Sequence, residues 1–209
     1  MKKIVVTQRL TNNESYFEQR EMLDISWGKL FDDIDLLPII LPYEYNFEKY
    51  FKKFKIDGIL LTGGNDLNSL NQNELSFKRD NFENKLIKFA INNNIPIFGV
   101  CRGMQIIAQY FGSTLKVVYN QVNIKHKLVV NENSKYLKNL NNITEVNSFH
   151  NYGIDNLSDE LIVAAYCHTG LIKAIEHKEY KIFGQMWHSE RTKPFSEDEL
   201  NIIKVFFND

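Results

Sequence analysis

Short apolar runs alternate with amphipathic stretches through the first half of the chain. The apolar runs predict buried strands at residues 4–7, 36–41, 56–62 and 96–100, and Pro38 makes the second of these an edge or irregular strand. Apolar positions at helical spacing predict helices at residues 15–31, 47–54, 82–93 and from Cys101 to about 111. Strands that alternate with helices are typical of a parallel sheet covered on both faces.

After Gly112 the pattern changes to a succession of strands separated by turn residues. These strands are predicted at residues 115–119, 127–130, 145–147, 162–167, 171–176 and 181–187, with a hairpin connection at 177–180. Residues 196–199 (SEDE) form a capping box for a last helix, whose Leu200, Ile203 and Phe207 are expected to face inward. No linker or internal repeat interrupts the chain, so residues 1–209 are interpreted as one α/β domain.

Composition excludes several classes of function. The 209 residues carry 25 Lys and Arg against 26 Asp and Glu, a formal charge of −1, which gives no electrostatic case for a nucleic-acid partner. No apolar run reaches the length of a signal peptide or a membrane span, so we expect a cytoplasmic protein without a membrane partner. Cys101 and Cys167 are not expected to form a disulfide, and no ligand spacing suggests a metal site.

The strongest chemical signal is Cys101, which lies between a predicted strand and a predicted helix in residues 99–105 (GVCRGMQ). Gly99 and Gly103 flank the cysteine at −2 and +2, as the tight reversal of a nucleophile elbow requires. The dipole of the following helix favours the thiolate, and the amide of Arg102 is positioned to face negative charge developing on an attacked carbonyl. The alternative is a small core cysteine between two packing glycines.

His188 and Glu190 follow the last apolar strand and supply a base with its carboxylate. On an extended segment, residues i and i+2 point to the same side, so Glu190 can orient the His188 imidazole while the other ring nitrogen faces the thiol. An isolated pair of this kind is more often a surface histidine beside a solvated acid. The elbow at Cys101 favours the catalytic interpretation.

Further polar groups follow the other predicted parallel strands. Arg9 follows the first strand, and Gly63, Gly64 and Asn65 follow the third. In open α/β sheets functional groups gather at the carboxyl ends of the strands, so these loops are expected to meet Cys101. Gly64 can supply a second backbone donor to an oxyanion hole, with Asn65 beside it. A plain tight turn is the commoner meaning of two adjacent glycines.

Four motifs in this order resemble class I glutamine amidotransferase domains, and more narrowly the γ-glutamyl hydrolase branch (peptidase family C26) typified by γ-glutamyl-γ-aminobutyrate hydrolase. They are GVCRGMQ at 99–105, LLTGGND at 60–66, VNSFH at 146–150 and QMWHSE at 185–190. Arg102 after the cysteine, and TGG at 62–64 instead of GGP, favour the hydrolase branch. The resemblance implies a flavodoxin-like, doubly wound, mostly parallel sheet with added antiparallel strands.

The resemblance also implies roles for individual residues. Cys101, His188 and Glu190 would be a catalytic triad, and Gly64 and Arg102 would donate the oxyanion-hole amides. The implied substrate-binding residues are Gly63, Asn65, Gln105, Asn147, Ser148, Phe149 and His150. The implied reaction is hydrolysis of a small-molecule γ-glutamyl amide to glutamate and an amine through a thioester on Cys101, with no cofactor, no metal and no synthase partner.

The chain departs from the common pattern of this branch in ways that suggest a compact subgroup. Ser189 replaces the usual proline, Asn65 stands where many relatives have a third glycine, and the chain is short. Together with residues 7–9, 16–20 and 24–27, these features resemble the γ-glutamyl-CDP-amidate hydrolases of capsule phosphoramidate synthesis. Arg9 is then a candidate contact for an anionic leaving group, with a solvated surface arginine as the alternative.

The leaving group is left open among polyamine products, γ-aminobutyrate and a nucleotide phosphoramidate, because all three substrates share the same acyl half. Three other functions compete with a free-standing hydrolase. The first is a glutaminase subunit that passes ammonia to a synthase. The second is a non-catalytic binding module, which the complete triad argues against. The third is a cysteine-elbow protein of the chaperone or deglycase type, which a histidine so late in the chain fits poorly.

Overall fold

The structure is a computed structural model that describes residues 1–208, and a nine-stranded sheet forms its centre. In chain order the strands are β1 Lys2–Val6, β2 Arg9–Asn12, β3 Gln19–Met22, β4 Leu36–Ile40, β5 Gly58–Leu61, β6 Ile97–Val100, β7 Thr114–Val117, β8 Val122–Val130, β9 Glu145–Phe149, β10 Tyr152–Asn156, β11 Leu161–Cys167, β12 Ile172–His177 and β13 Ile182–Gln185. The helices are α1 Ser26–Asp33, α2 Glu48–Lys53, α3 Glu74–Asn92, α4 Arg102–Tyr110, α5 Leu137–Leu140 and α6 Glu197–Asn208, with a 3₁₀ turn at Ser189–Arg191.

Five parallel strands form one half of the sheet, in the order β4-β1-β5-β6-β13. Numbered by their own sequence, these strands run 2-1-3-4-5, which is the flavodoxin-like order. β12, β11, β8 and β9 continue the sheet with antiparallel pairing. The predicted mostly parallel sheet with added antiparallel strands is therefore confirmed, and Pro38 lies on the edge strand β4 as expected.

Helices cover both faces of the parallel half. Phe98 and Gly99 are neighbours on β6 and therefore point to opposite faces. Gly99 lies so close to Gly103 of α4 that an added Cβ would stand 2.5 Å from the Gly103 carbonyl carbon. On the other face the ring of Phe98 packs against the ring of Phe206 of α6, with 5.2 Å between centroids. β5, β6 and β13 are fully buried between these layers.

The helix predicted at residues 15–31 is wrong. The chain forms the β2–β3 hairpin there, and only Ser26–Asp33 is helical. Phe17, an apolar residue within that predicted helix, is 93% exposed at the tip of this hairpin. The amide of Asn65 holds β2 in place by accepting from Leu10 N (2.9 Å) and donating to Leu10 O (2.8 Å). A contact between residues 55 positions apart in sequence thus overrides the local helical pattern.

α3 begins eight residues before its predicted start at residue 82 (82 − 74). The side chain of Asn73 accepts from Ser76 N at 2.9 Å and caps the helix. Arg79 and Glu83 lie on the buried face of α3, which interrupts the apolar pattern from which the helix was predicted. β10 and α5 were not predicted. The last helix is confirmed, and its Leu200, Ile203 and Phe207 are buried.

Across residues 1–208, no helix combines the length and the apolar content that crossing a membrane would require.

Candidate active site

Cys101 occupies the single residue between β6 and α4. Its backbone has φ 53° and ψ −103°, a left-handed conformation that costs a non-glycine residue roughly 1–3 kcal/mol. Cys101 N donates to Gln185 O of β13 at 2.8 Å, which anchors the turn. A side chain at Gly103 would collide with Leu61 O, so the tight packing of the elbow requires glycine there. The sulfur is thus held at the carboxyl end of the parallel strands, and Cys101 is 8% exposed.

His188 and Glu190 are joined by a short turn beyond β13. The strand ends at Gln185, His188 is still extended (φ −110°, ψ 90°), and Ser189–Arg191 is a 3₁₀ turn. The expected continuous extended segment is therefore wrong at Glu190, and the turn brings the two side chains together instead. His188 Nδ1 lies 2.6 Å from Glu190 Oε1, and both residues are buried. The contact fixes which ring nitrogen faces the carboxylate.

The side chain of Asn147 clamps the backbone of His188. Asn147 Oδ1 accepts from His188 N at 2.9 Å, while Asn147 Nδ2 donates to His188 O at 2.7 Å and to Thr192 Oγ1 at 3.0 Å. The ring of Phe149 lies edge-on to the His188 ring, with 6.1 Å between centroids. The predicted segment 147–150 therefore lies beside the histidine, and Asn147 positions that residue rather than only lining a pocket.

Gly63 marks the place where Cys101 and His188 meet. A Cβ added to Gly63 would stand 2.8 Å from His188 Cε1 and 3.7 Å from Cys101 Cβ, so the absence of a side chain leaves both groups adjacent. His188 Nε2 has no hydrogen-bond partner among residues 1–208 and remains available to the thiol. Burial lowers the pKa of His188, but the charges of the Cys101 thiolate and Glu190 outweigh burial and raise that pKa to about 9.

Gly64 has φ +116°, a conformation that glycine adopts without strain. A Cβ there would stand 2.5 Å from Arg9 Cβ, so the loop after β5 passes close to the start of β2. Arg102 is the first residue of α4, and the first N–H groups of a helix have no partner within the helix. Asn65 uses its side-chain amide on the Leu10 backbone, as described above; its contact with substrate stays a prediction.

A buried ionic network behind the Thr62–Gly64 loop was missed from the sequence. Arg79 Nη2 donates to Thr62 O at 2.7 Å, Arg79 Nη1 donates to Gly63 O at 2.9 Å, and Arg79 Nε donates to Glu83 Oε1 at 3.1 Å. The Arg102 guanidinium pairs with Glu83 and with Asp80. Burial raises the pKa of Glu83, but the two arginines outweigh it and hold that pKa below its usual range. The two arginines thus tie the loop to α3 and α4.

A second buried cluster adjoins the segment 147–150. Lys173 of β12 donates from Nζ to Gln121 Oε1 (3.1 Å) and Ser148 Oγ (3.2 Å), and its Nζ lies 2.9 Å from His150 Nε2. Gln105 Nε2 donates to Tyr152 O at 3.0 Å, and His150 Nδ1 lies 3.0 Å from the same oxygen. Lys173 was not singled out from the sequence, although a lone lysine inside an apolar strand was a signal that could have found it.

An open pocket of about 300 Å³ extends from the histidine toward the β2–β3 hairpin and α1. Gly63, Gly64, His188 and Glu190 line one side, and the other side includes Arg9, Asp24, Trp27 and Arg191. The Arg191 guanidinium lies over the Phe149 ring, 5.1 Å from its centroid. The sequence-predicted Arg9 therefore faces the same space as His188, and Arg191 adds a cation that the sequence did not predict.

Residues 1–208 contain no cluster of three or more histidine, cysteine or acidic side chains arranged to hold a metal ion.

Two solved structures share this fold over almost the whole chain. A provisionally assigned GMP synthase subunit from Thermoplasma acidophilum superimposes with a TM-score of 0.75 at 22% identity, covering 99% of this chain and 92% of that one. A glutamine amidotransferase from Thermotoga maritima gives a TM-score of 0.68 at 15% identity, covering 98% and 83%. The fold is thus that of the class I glutamine amidotransferase-like proteins.

The Peptidase C26 family model matches residues 4–190, and the chain belongs to that family. The γ-glutamyl-CDP-amidate hydrolase of Campylobacter jejuni is 38% identical over 98% of this chain and 97% of its own length. The glutamine-hydrolysing GMP synthase subunit of Methanococcus vannielii is more distant, at 28% identity over 69% of this chain and 70% of its own length. The resemblance inferred from the motifs is confirmed, and the chain is a glutamine amidotransferase-like hydrolase.

Proposed function

We propose that this protein hydrolyses a γ-glutamyl amide bond through a thioester on Cys101, with His188 and Glu190 completing the triad. The observation that carries the proposal is the junction at Gly63, which the imidazole of His188 and the side chain of Cys101 both approach, while His188 Nε2 has no hydrogen-bond partner among the described residues. A buried carboxylate 2.6 Å from the other ring nitrogen supports a base of fixed orientation. The family match and the similarity to the Campylobacter jejuni hydrolase support a γ-glutamyl amide as the bond that is cleaved.

The reaction proceeds in two halves. The Cys101 thiolate attacks the γ-carbonyl carbon, and the protonated His188 gives its proton to the amide nitrogen as the carbon–nitrogen bond breaks. Water then enters, His188 removes its proton, and the oxygen attacks the thioester carbon. Collapse of this second tetrahedral intermediate releases glutamate and returns the thiolate. The raised pKa of His188 supports an imidazolium that carries the proton for the leaving nitrogen.

Backbone amides of Gly64 and Arg102 serve as the oxyanion hole. They come from the loop after β5 and from the start of α4, and Arg79 ties that loop to α3. Two donors held this way need little rearrangement when the carbonyl oxygen becomes negative. Each such donor contributes roughly 3–4 kcal/mol to transition-state stabilisation.

The glutamyl end of the substrate lies along Gln105 and the segment 147–150, beside the Phe149 ring. The leaving group occupies the 300 Å³ pocket, where Arg9 and Arg191 face the same space as His188. Two guanidinium groups suit a phosphate-bearing leaving group, because arginine pairs with oxyanions in a bidentate manner. We therefore propose γ-glutamyl-CDP-amidate as the preferred substrate, with γ-glutamyl-γ-aminobutyrate as the second choice.

A panel of γ-glutamyl amides tests this proposal. Purified protein is given γ-glutamyl-CDP-amidate, γ-glutamyl-γ-aminobutyrate and glutamine, and glutamate release is measured for each. We expect the first to have the highest kcat/KM and Cys101→Ala to remove all activity. Cys167→Ala, a substitution at the other buried cysteine, is the matched control and should retain activity. A fully active Cys101→Ala protein contradicts the thioester mechanism.

A glutaminase subunit is the second candidate, because relatives include glutamine-hydrolysing GMP synthase subunits and anthranilate synthase component 2. Such a protein delivers ammonia to a synthase and works poorly alone. Glutamine hydrolysis that is weak alone and rises on adding a synthase would favour this candidate. Rapid hydrolysis of a γ-glutamyl amide other than glutamine by the isolated chain would exclude it.

A further inference from the structure

Glu199 is a buried acid at the start of α6 that has no ion pair among the described residues. It is 3% exposed, and its two carboxylate oxygens lie 3.2 and 3.4 Å from Thr192 Oγ1. Acidic side chains are rarely buried without a cation, because water solvates their charge better than a protein interior does. The helix dipole favours acids in a first turn, but the exposed Glu197 and Asp198 already serve that purpose. The burial of Glu199 therefore needs another explanation.

A chain of hydrogen bonds runs from Glu199 to the backbone of His188. Thr192 Oγ1 accepts from Asn147 Nδ2 at 3.0 Å, so the Thr192 hydroxyl proton is available to the Glu199 carboxylate. The same Asn147 side chain donates to His188 O at 2.7 Å and accepts from His188 N at 2.9 Å. An ionised carboxylate can only accept, and this fixes the direction of every bond in the chain. Two side chains thus connect Glu199 to His188.

The charged groups around Glu199 come from several parts of the chain. Glu190 lies in the 3₁₀ turn Ser189–Arg191. Glu199 also lines an open cavity of about 560 Å³, whose other charged lining residues are Lys125, Glu145, Arg191 and Lys193. Burial raises the pKa of Glu199 to about 7, and the charge of Glu190 adds to this effect. Hydrogen bonds from Ser189 and Thr192, and the charge of Lys125, lower that pKa. The carboxyl group therefore changes its charge near neutral pH.

The ionised form of Glu199 destabilises the folded protein. A glutamate in the unfolded chain has the ordinary pKa of 4.5, so between pH 4.5 and about 7 the folded chain binds a proton that the unfolded chain has lost. Stability therefore falls as the pH rises through this window, and the cost is complete above about pH 7. A buried acid that is kept at such a cost is typical of residues that serve function rather than stability.

We propose that Glu199 is a positioning residue for His188: its carboxylate orients the Thr192 hydroxyl, and Thr192 in turn holds Asn147 on the His188 backbone. The inference rests on the triad of the proposed function. Protonation turns the Glu199 carboxyl group into a donor, and this donor competes with Asn147 Nδ2 for the Thr192 oxygen. Hydrolysis is therefore fastest when Glu199 is ionised.

The pH dependence of kcat for γ-glutamyl-p-nitroanilide tests this inference. Glu199→Gln mimics the protonated carboxyl group at every pH, because the glutamine amide is neutral and carries a donor. We expect kcat of the unmodified protein to rise through about pH 7 and Glu199→Gln to lack this rise. The variant should be about 10-fold slower at pH 8 and within about 2-fold at pH 5.5. Asp198→Asn, at an exposed acid of the same turn, is the matched control and should keep the unmodified profile.

Thermal unfolding distinguishes positioning from a purely structural role. If Glu199 only supported the fold, Glu199→Gln would lower kcat and the thermal midpoint together. We expect instead that the midpoint of Glu199→Gln at pH 8 lies several degrees above that of the unmodified protein, and that the gap narrows at pH 5. A lower midpoint accompanied by a lower kcat would assign Glu199 a structural role and overturn the proposal.

Thr192→Val provides an independent variant, because it removes the hydroxyl and keeps the shape of the side chain. It should also lack the rise in kcat near pH 7, since Glu199 then has no hydroxyl through which to act on Asn147. A rise that persists in Thr192→Val overturns the proposal. So does a ratio of kcat between Glu199→Gln and the unmodified protein that is the same at pH 5.5 and pH 8.

A signal from His188 itself separates this inference from the proposed function. Protein labelled with ¹⁵N-histidine has five labelled backbone amides, and the signal of His188 is assigned by its loss in His188→Asn. Because the His188 N–H donates to Asn147, its chemical shift should change near pH 7 in the unmodified protein but not in Glu199→Gln. If this change occurs while no γ-glutamyl amide is hydrolysed, the proposed function fails and the positioning role stands. If amides are hydrolysed and the His188 signal does not depend on Glu199, only the positioning role fails.

Discussion

Glu190 Oε1 lies 2.6 Å from His188 Nδ1, and both residues are buried. Glu190 Oε2 has no hydrogen-bond partner among the described residues, and the charge of the carboxylate acts on the His188 imidazole and on Arg191, whose Nε lies 3.8 Å from Glu190 Oε1. Together with the Cys101 thiolate, that charge holds the pKa of His188 at about 9 despite burial. In the proposed mechanism, the histidine therefore holds the proton for the leaving amine across the neutral range.

This pair predicts a pH profile. Hydrolysis of γ-glutamyl amides should decline above about pH 9, because the imidazolium then loses the proton that the leaving amine requires. Glu190→Gln should lower kcat on the order of 10³-fold. It should also move the alkaline limb to lower pH, because one of the two charges that raise the pKa of His188 is gone. The measurement is kcat/KM against pH for both proteins.

Glu197→Gln, at an exposed acid in the first turn of α6, is the control and should leave the profile in place. If the alkaline limb does not move in Glu190→Gln, the charge of Glu190 does not raise the pKa of His188.

The loop after β5 gives a second prediction. Gly64→Ala should lower kcat about 10²- to 10³-fold, because the new Cβ would overlap Arg9 and displace the backbone amide that we propose for the oxyanion hole. Gly170→Ala is a matched control, since Gly170 also has a left-handed backbone (φ +85°) but has open space around it. Gly170→Ala should cost about 1 kcal/mol of stability and leave kcat unchanged. Equal loss of activity in both variants would trace the effect to backbone strain alone.

The leaving-group pocket predicts a specificity change. Arg9→Ala should lower kcat/KM for γ-glutamyl-CDP-amidate about 10- to 100-fold and leave γ-glutamyl-γ-aminobutyrate within about 3-fold, because the nucleotide substrate carries the phosphate charge that arginine pairs with. Arg20→Ala is the control, because Arg20 lies on the same hairpin but pairs with Glu18. A phosphoramidate preference that survives in Arg9→Ala would show that Arg9 does not contact the phosphate.

Two substitutions of Arg79, in the buried network behind the Thr62–Gly64 loop, should affect stability and catalysis to different extents. Arg79→Met should lower the free energy of unfolding by about 3–5 kcal/mol, because it leaves part of the charge of Glu83 uncompensated. Arg79→Lys keeps a positive charge but cannot reach Glu83 and the carbonyls of Thr62 and Gly63 together. We therefore expect Arg79→Lys to recover much of the stability while kcat remains low. Denaturant unfolding and steady-state kinetics measure the two effects, and full recovery of kcat would contradict a positioning role for Arg79.

The sequence predicted those site residues that are recognised by neighbours close to them in the chain, and missed those whose partners lie far away in the chain. Cys101 was predicted because its glycines stand within two positions, and His188 with Glu190 because they stand two positions apart. Arg79 and Lys173 were missed, since the partners of Arg79 on the loop lie 16 and 17 positions away and those of Lys173 lie 23 to 52 positions away.

The same distinction explains the errors in the fold. The parallel strands are buried on both faces of the sheet, so they appear in the sequence as continuous apolar runs. These runs predicted them without any knowledge of the fold. The β2–β3 hairpin depends on Asn65, a residue of another loop, and its own sequence has the spacing of a helix. The first turns of α3 were not predicted. Arg79 and Glu83 are buried there as an ion pair, and a search for apolar positions at helical spacing does not count charged residues as buried.

By itself, the amino-acid sequence determined the alternation of strands and helices, the cysteine turn and the late histidine with its acid, because each depends on residues adjacent in the chain. Only the tertiary structure decided that Gly63 brings the imidazole and the thiol together, that Asn147 holds the histidine backbone, and that Lys173 is buried without an acid. These are contacts between residues distant in sequence. Their energies depend on burial and distance, which exist only after the chain has folded.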